Sequence, residues 1–387
     1  MKKEIIKLTK ELVNFESTSD NLKERQKIID FIIFFINSNT KNATIKQFKA
    51  KNPVSNQIIS SIHVFNPDMN KNKSVLLLGH VDVVPGDSFN PTNNEKFIFG
   101  RGSGDMKSGV AISILLFLKH HKNKNIQLLI TNDEEIGGHG GAGFISKKIK
   151  PDFVIAPEPT NLDLRIKEKG AMQIQIEVQT SGGHSSRPWK NLNSIEIMLN
   201  LISQLKKAFK NPLREKWVNT INIGGIIGGN IKDSLTLGSS NIIANSCKIK
   251  LDLRLVDTCS HKNALNLIQE SVKKIESKLK QDINHMNLEN NNFKIIINNP
   301  DILVEHLITN KNNSFVKSIS KSIKTKFGVC NITKAPAASD ARFFSSVGIP
   351  SVVFGANSIN HHANNEHVQI SSLLNVWNIL NHFLTTY

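Results

Sequence analysis

Cysteine is scarce in this sequence. Only three cysteines occur in 387 residues, Cys247, Cys259 and Cys330, and none belongs to a C-x-x-C pair. An odd number of scattered cysteines argues against a disulfide framework and is typical of proteins from a reducing compartment. We therefore expect a cytoplasmic protein whose fold depends on its hydrophobic cores rather than on disulfide bonds.

The sequence also lacks a long hydrophobic run. The most apolar stretch, Ile28–Ile36, is interrupted by Asp30 and is far shorter than the roughly 20 residues of a membrane span. The basic N-terminal segment has apolar residues at a helical period rather than the continuous apolar stretch of a signal peptide. These features predict buried helices and give no reason to expect a membrane partner.

Acidic residues are fewer than basic ones. The 49 Lys and Arg residues exceed the 32 Asp and Glu residues, which gives a formal net charge of +17. Such an excess can indicate a surface that binds nucleic acid or another polyanion. Here the lysines are scattered, and only one Tyr and three Trp could stack on bases. A basic polyanion-binding protein without catalysis is therefore a remote alternative, and we do not expect nucleic acid as the main partner.

Helical and strand patterns alternate over residues 1–170 and again over residues 301–387. This alternation predicts an α/β domain with a mixed sheet flanked by helices. Residues 171–300 instead contain strands with one polar face, in the order β-α-β-β-α-β, which predicts a ferredoxin-like α+β unit. We therefore expect the second domain to be inserted into the first.

Polar side chains follow several buried strands of the larger domain. The stretch Ser74–Gly86, "SVLLLGHVDVVPG", passes from consecutive apolar residues to His80 and Asp82. Other strand ends and a Gly-rich turn add Asp105 in "GSGDMKSG", Asp133, Glu134 and Glu135 in "LLITNDEE", Glu158 in "FVIAPEPT", and the histidines of "HHANNEH". Taken singly, each has an ordinary explanation, such as a helix N-cap or a solvated loop.

The recurrence of these residues favours a metal site. The carboxyl ends of strands in an open α/β sheet are where ligands bind. Carboxylates that converge there repel one another, and a bound cation relieves the repulsion. Imidazole and carboxylate ligands suit zinc, and cobalt or manganese less distinctively.

The combination and order of the motifs resemble the M20 family of zinc-dependent aminoacylases and peptidases, over essentially the whole chain. The matching stretches are "GHVDVVP", "GRGSGDMKSG", "NDEEIGG", "APEPT", "GGHSSRP", "SDARFF" and "HHANNEH". The family includes succinyl-diaminopimelate desuccinylases and acetylornithine deacetylases. The resemblance implies a homodimeric di-zinc amidohydrolase that cleaves the amide bond of a small N-acyl amino acid. An M20 aminopeptidase or dipeptidase that acts on short peptides is the alternative.

The resemblance also implies a set of metal ligands. They are His80, Asp105 as the bridge between two zinc ions, Glu135 on one ion, Glu158 on the other, and His362. The family pattern of His, two residues, Asn and Glu selects His362 rather than His361, a choice that spacing alone does not make. Asp82 would orient the His80 ring, and Co²⁺ could substitute for Zn²⁺.

Catalytic and substrate-binding roles follow from the same resemblance. Glu134 would be the general base that takes a proton from a metal-activated water and passes it to the leaving amine. His184 would reach into the partner subunit's site and stabilise the oxyanion. Arg254 and Asn241 would hold the substrate carboxylate, although a cross-strand salt bridge and a turn explain them equally well. Arg342 is similarly undecided.

The sequence departs from the desuccinylase pattern at the start of the inserted domain. Desuccinylases usually show an Arg-Arg-Gly stretch there, whereas residues Ile166–Met172 read "IKEKGAM". This is closer to the deacetylase and peptidase branches. Basic side chains in this stretch could still bind a succinyl carboxylate, so the sequence leaves the acyl group open.

Metal content tests the implied ligand set. We expect about two zinc ions per chain, with activity lost on chelation and restored by Zn²⁺ or Co²⁺, because two metal positions share a bridging carboxylate. Metal analysis of purified protein, before and after chelation, measures this directly. Full turnover in metal-stripped protein would contradict the prediction.

Overall fold

The computed structural model divides into two compact units, Met1–Glu168 with Leu307–Tyr387, and Lys169–His306. The described residues are 1–69, 73–86, 88–214, 216–230, 239–286 and 292–387. Among them, no helix combines the length and the apolar character needed to cross a membrane. Cys247, Cys259 and Cys330 are all free.

The chain enters the larger unit first. Its elements up to residue 168 are α1 (Lys2–Val13), α2 (Leu22–Asn39), β1 (Thr44–Lys51), β2 (Ile58–Phe65), β3 (Val75–His80), β4 (Thr92–Asn93), β5 (Phe97–Phe99), α3 (Lys107–His120), β6 (Ile126–Thr131), α4 (Ala142–Ile145), β7 (Phe153–Ala156) and β8 (Leu164–Glu168), with a 3₁₀ turn at Glu134–Ile136.

The inserted unit follows, and the larger unit then resumes. The insert contains β9 (Gly170–Thr180), β10 (Gly183–His184), a 3₁₀ turn at Pro188–Lys190, α5 (Ser194–Ala208), β11 (Thr220–Gly229), β12 (Ile242–Ile243), β13 (Ser246–Leu255), α6 (His261–Met286), β14 (Phe293–Ile297) and β15 (Ile302–Val304). The last segment contains β16 (Leu307–Ile308), α7 (Ser314–Phe327), β17 (Ile332–Ala335), α8 (Ala341–Ser346), β18 (Ser351–Val353), β19 (Ser358–Ile359), β20 (His367–Gln369) and α9 (Ile370–Thr386).

The main sheet of the larger unit is mixed, with strand order β1-β2-β6-β3-β7-β18-β8-β16 and β17 beside β8. Its centre is parallel, since β3 pairs in parallel with β6 and β7, and β7 with β18. Parallel strands covered on both faces are apolar throughout, and all of β3 is buried. The mixed α/β architecture predicted from the sequence is confirmed.

Both faces of this sheet are covered by helices. Val75 and Leu77 of β3 belong to a core that includes residues of α1, α2, α3, α7 and α9. Leu76 and Leu78 belong to a second core with residues of α4 and α8. The two cores alternate along β3 because successive strand side chains point to opposite faces.

This sheet places chemical groups at one edge. His80 is the last residue of β3 and lies opposite Thr131, the last residue of β6, in the parallel register. The loop that carries Glu134 and Glu135 follows β6, and Glu158 follows β7. Neighbouring parallel strands therefore deliver the candidate ligands to the same side of the sheet.

The inserted unit is an antiparallel sheet with strand order β11-β13-β9-β14, and β15 also pairs with β9. The four longer strands thus lie in the order second, third, first and fourth, as in a ferredoxin-like unit. Along β9, Met172, Ile174, Ile176 and Val178 are buried in a core with α5 and α6. The apolar residues that alternate along β9 therefore form the face that is buried against the helices, as the sequence predicted.

A buried arginine joins α2 to the loop after β6. Arg25 is 2% exposed. Its Nη1 atom donates to the Ser19 carbonyl oxygen at 3.0 Å and to Gln57 Oε1 at 2.6 Å. Its Nη2 atom donates to the carbonyl and side-chain oxygens of Asn132. Arg25 therefore satisfies buried acceptors immediately before the acidic loop.

Replacement of Arg25 tests this connection. We expect Arg25→Met to lower the free energy of unfolding by about 3 kcal/mol, because it leaves buried oxygen acceptors without a donor. Lys23→Met is the matched control, since it removes a positive charge from an exposed position on the same helix. Urea unfolding of both variants measures the difference, and equal stabilities would contradict the assigned role.

Candidate metal centre

His80 is held with one ring nitrogen directed into the site. The residue is 1% exposed, and its Nδ1 atom lies 3.0 Å from the Asp82 carbonyl oxygen. An Nδ1–H group that donates to this acceptor leaves Nε2 available to bind a metal. Nε2 lies 3.3 Å from Asp105 Oδ1 and 3.5 Å from Glu158 Oε1.

Asp82 connects the His80 strand to the acidic loop. It is fully buried, and its carboxylate lies 3.5 Å from His80 Nδ1. The backbone N–H groups of Glu134 and Glu135 donate to its two oxygens at 3.2 and 2.9 Å. Burial opposes ionisation, but the His80 ring and these contacts hold the pKa of Asp82 below its usual value. Asp82 thus orients both the ring and the loop.

Asp105 occupies a bridging position. Its Oδ1 atom faces His80 Nε2 at 3.3 Å, and its Oδ2 atom faces His362 Nε2 at 3.3 Å. The N-cap residue of α3 is Met106 rather than Asp105. Burial disfavours the charged form, but the His362 and His80 rings hold the pKa of Asp105 below its ordinary value.

Two groups of ligand atoms share this aspartate. Among the described residues, one group is His80, Asp105 and Glu158, and the other is Asp105, Glu135 and His362, with the ligand atoms of each group within 4.8 Å of one another. His362 Nε2 lies 3.1 Å from Glu135 Oε1. The structure therefore brings together all of the residues that the resemblance names as metal ligands.

The electrostatics of these groups fit bound cations. Burial, opposed by His80 and reinforced by Asp105, raises the pKa of Glu158 to about 8. Burial also raises the pKa of Glu135 above its usual value. Carboxyl groups with such pKa values are unfavourable as bare anions, and a divalent cation stabilises their charged form. Imidazole nitrogens with several carboxylates form a donor set suited to divalent metals such as zinc.

Glu134 lies beside these ligands without belonging to either group. It lines a cavity of about 270 Å³ together with Asp105 and Glu158, and its side chain is 15% exposed. Burial raises the pKa of Glu134 well above its ordinary value. A carboxylate in this position can exchange a proton with a molecule that occupies the cavity.

Arg342 lies next to Glu134. Its side chain is 4% exposed, and its Nη1 atom lies 3.7 Å from Glu134 Oε1. Its Nη2 atom donates to the Gly137 carbonyl oxygen at 2.8 Å, and Asp340 Oδ1 lies 4.0 Å from Nη1. Arg342 therefore contacts the loop that carries Glu134.

The remaining predicted residues lie in the inserted unit. His184 is exposed in β10, opposite Ile242 of β12, and its Nδ1 atom lies 2.8 Å from Ser186 Oγ. Asn241 is adjacent to this ribbon, since the Ser185 N–H donates to its carbonyl oxygen at 3.0 Å. These contacts bring His184 and Asn241 close together at the β10–β12 pair.

Arg254 has a partner within its own strand. Its Nε atom donates to Asp252 Oδ1 at 2.8 Å and its Nη2 atom to Asp252 Oδ2 at 3.2 Å. Two parallel N–H···O bonds are the strong form of an arginine–carboxylate pair. The salt bridge considered from the sequence is therefore present, along β13 rather than across strands.

One group at the site is not singled out by the sequence motifs. The Glu366 carboxylate accepts hydrogen bonds from the loop that carries Asp105, including the Asp105 N–H itself at 3.0 Å. Glu366 belongs to the quoted "HHANNEH" segment. Its position shortly after the predicted ligand His362 was the available signal, but its hydrogen-bond partners are more than 250 residues away in the chain.

Comparison with known proteins identifies related sequences. The sequence model of peptidase family M20/M25/M40 matches residues 76–386 of this chain. Acetylornithine deacetylase of Buchnera aphidicola subsp. Schizaphis graminum (strain Sg) is 31% identical over 305 residues, which cover 74% of this chain and 73% of that protein. Succinyl-diaminopimelate desuccinylase of Helicobacter hepaticus (strain ATCC 51449 / 3B1) is 26% identical over 338 residues, which cover 80% and 79%.

Solved structures share the fold. The crystal structure of a tripeptidase from Staphylococcus aureus subsp. aureus Mu50 superposes with a TM-score of 0.76 at 20% identity and covers 99% of this chain and 98% of its own. At this identity the likeness establishes the architecture. The family resemblance read from the motifs is confirmed by the matched family description.

Proposed function

The chain belongs to peptidase family M20/M25/M40, a family of metal-dependent hydrolases, and we propose that it is a zinc-dependent deacylase of a small N-acyl amino acid. The observation that carries the proposal is the pair of ligand groups that share Asp105, with Glu134 beside them in one cavity. The curated relatives named as deacetylase and desuccinylase support hydrolysis of an acyl amide.

The metal would be held by the ligands of the two groups. His80, Asp105 and Glu158 form one position, and Asp105, Glu135 and His362 form the other. Zinc bound there would supply a Lewis acid for the amide carbonyl and would lower the pKa of a water molecule. Co²⁺ prefers a similar set of nitrogen and oxygen donors and could substitute.

Glu134 is the proposed general base and acid. Its side chain lines the cavity next to Asp105 and Glu158. This position supports a role in which its carboxylate accepts a proton from water and returns it to the leaving amine nitrogen. Arg342 Nη1, 3.7 Å from Glu134 Oε1, would limit the orientations of this carboxylate. Asp82 would hold the backbone N–H of Glu134 in place.

The wall of the cavity favours an acetyl group over a succinyl group. Arg165 is the one arginine or lysine among the described residues that line it. Its Nη1 atom lies 3.2 Å from Glu168 Oε1, and Ser339 donates to Glu168 Oε2 from its N–H and its hydroxyl at 2.8 and 2.7 Å. A succinyl carboxylate would therefore meet an arginine that is already paired and a buried glutamate that repels it.

We also propose that the enzyme acts as a homodimer in the cytoplasm. In the described part of the insert, β11 is an edge strand that pairs with β13 on one side. Ile226 and Ile227 of this strand are 53% and 43% exposed. An apolar edge strand without charged side chains readily pairs with another chain, which supports association of two copies. The free cysteines support a reducing compartment.

The family resemblance assigns three residues of the insert to catalysis and binding. His184 would donate a hydrogen bond to the oxyanion in the partner subunit's site. Asn241 and Arg254 would hold the substrate carboxylate, and the contact between the Ser185 N–H and the Asn241 carbonyl would keep His184 and Asn241 in one arrangement.

A substrate panel tests the proposed reaction. We expect the zinc-loaded protein to hydrolyse N-acetylornithine faster than N-succinyl-diaminopimelate, because of the paired arginine in the cavity wall. We also expect it to hydrolyse N-acetylornithine faster than short peptides, in line with the curated relatives named as deacetylase. Glu134→Gln should keep its metal and lose about 10²–10⁴-fold in kcat, since an amide cannot accept the water proton. Product formation and metal content are measured for both proteins.

The outcomes of the panel distinguish the alternatives. Faster turnover of dipeptides or tripeptides would identify a peptidase. Faster turnover of the succinyl substrate would overturn the assignment of the cavity wall. Near-normal turnover of Glu134→Gln would move the base role to another residue, and Asp133→Asn would then be measured.

Subunit mixing tests the role of His184. His184→Ala should lower kcat and leave metal content and dimerisation intact. When His184→Ala and Glu134→Gln subunits are mixed and allowed to exchange by mild denaturation and refolding, one site of each mixed dimer combines intact groups from opposite chains. With random pairing, we expect roughly a quarter of the wild-type activity.

Refolded wild-type protein and each refolded variant alone are the controls. If exchanged mixtures recover no activity while the wild-type protein refolds well, His184 acts within its own chain or has no catalytic role.

A further inference from the structure

Glu366 is bound by one loop through several donors. Its side chain is 2% exposed. The donors to its carboxylate are Arg101 Nη1 at 2.7 Å and the backbone N–H groups of Gly102 at 2.9 Å, Gly104 at 2.9 Å and Asp105 at 3.0 Å. Hydrogen bonds to an ionised acceptor are stronger than those between neutral groups. This carboxylate is therefore the common acceptor of the loop that ends in the bridging ligand.

The backbone of the same residue strengthens the connection. The Gly100 N–H donates to the Glu366 carbonyl oxygen at 3.0 Å. The loop also lies close to β19, since a Cβ atom on Gly104 would overlap Ser358 Oγ. Glycine at position 104 permits this approach, and the carboxylate of Glu366 then fixes it.

His362 depends on this connection more than the other histidine ligand does. It lies in the turn between β19 and β20, its φ is +61°, and its side chain is 51% exposed. Its ring contacts Asp105 and Glu135, which are themselves candidate ligands. The turn is attached to the rest of the unit where β20 pairs with β5 and where Glu366 accepts from the loop.

The other metal position has a firmer base. His80 ends the buried central strand β3, and Glu158 follows β7, which pairs with β3. The sheet itself therefore places these two ligands. Loss of the Glu366 contacts would affect the two metal positions unequally.

We propose that Glu366 is a positioning residue that holds the Asp105 loop against the His362 turn and thereby sets the metal affinity of the position formed by Asp105, Glu135 and His362. This inference rests on the proposed function, because it requires the two metal positions. Among the described residues, Glu366 belongs to neither group of candidate metal ligands. It acts by fixing the separation of Asp105 and His362, which come from distant parts of the chain.

Cobalt titration of metal-stripped protein tests the proposal without reference to activity. Wild type, Glu366→Gln, His362→Ala and the double variant are titrated, with visible absorption and equilibrium dialysis as readouts. Glu366→Gln should weaken one cobalt equivalent about 10–100-fold, the usual effect of removing a partner of a metal ligand. His362→Ala should abolish the same equivalent, and the double variant should bind cobalt like His362→Ala.

A general loss of stability predicts a different pattern. It would weaken the binding of both cobalt equivalents, or the binding of the equivalent that His362→Ala still holds. Either result would overturn the proposal. Asp152→Asn is the control, because Asp152 also accepts from backbone and hydroxyl groups, those of Ser74 at the opposite end of β3. It should leave both equivalents unchanged.

Two further comparisons keep the outcomes separate. If Glu366→Gln folds poorly, Glu366→Asp is titrated in the same way. If Glu366→Asp binds the cobalt ion that His362→Ala loses as tightly as wild type does, the proposal is overturned. Unchanged binding in a folded Glu366→Gln protein, with two equivalents in wild type, overturns this inference alone. A wild-type protein that binds no cobalt overturns the proposed function together with the inference.

Discussion

Carboxylates converge where the parallel central strands of the mixed sheet end, and the surrounding structure is organised around their mutual repulsion. Burial raises the pKa of Glu158 to about 8 and the pKa of Glu134 well above its usual value. Such groups are costly in an apolar core unless charge and hydrogen bonds compensate them. Neighbouring groups supply part of this compensation: Arg342 beside Glu134, and backbone N–H groups on Asp82. A pair of divalent cations would supply the remainder.

Much of this arrangement could be predicted from the sequence because the strongest signals are local. The apolar run before His80 marks a buried strand, and parallel strands end at a common edge. The alternation in "AMQIQIEVQT" indicates a sheet with one buried face, and β9 has that pattern of burial. The candidate ligands stand at strand ends or in quoted motifs, so their positions predicted a metal site, whereas the full ligand set, including His362 rather than His361, followed from the family resemblance.

The features that could not be predicted are contacts between distant segments. Arg342 lies against the Glu134 loop although "SDARFF" alone allowed a role in substrate binding. Glu366 meets a loop more than 250 residues earlier in the chain. Local periodicity carries no information about such pairs, since tertiary packing decides them.

The order of strands in the main sheet has a consequence for biosynthesis. β18 lies between β7 and β8, and β16 pairs with β8, although the whole inserted unit separates these strands in the chain. A ribosome-bound chain therefore has a gap in its central sheet until residues beyond 350 have emerged. His362 and Glu366 emerge later still. A nascent chain that has not yet reached these residues cannot bring together both groups of candidate ligands.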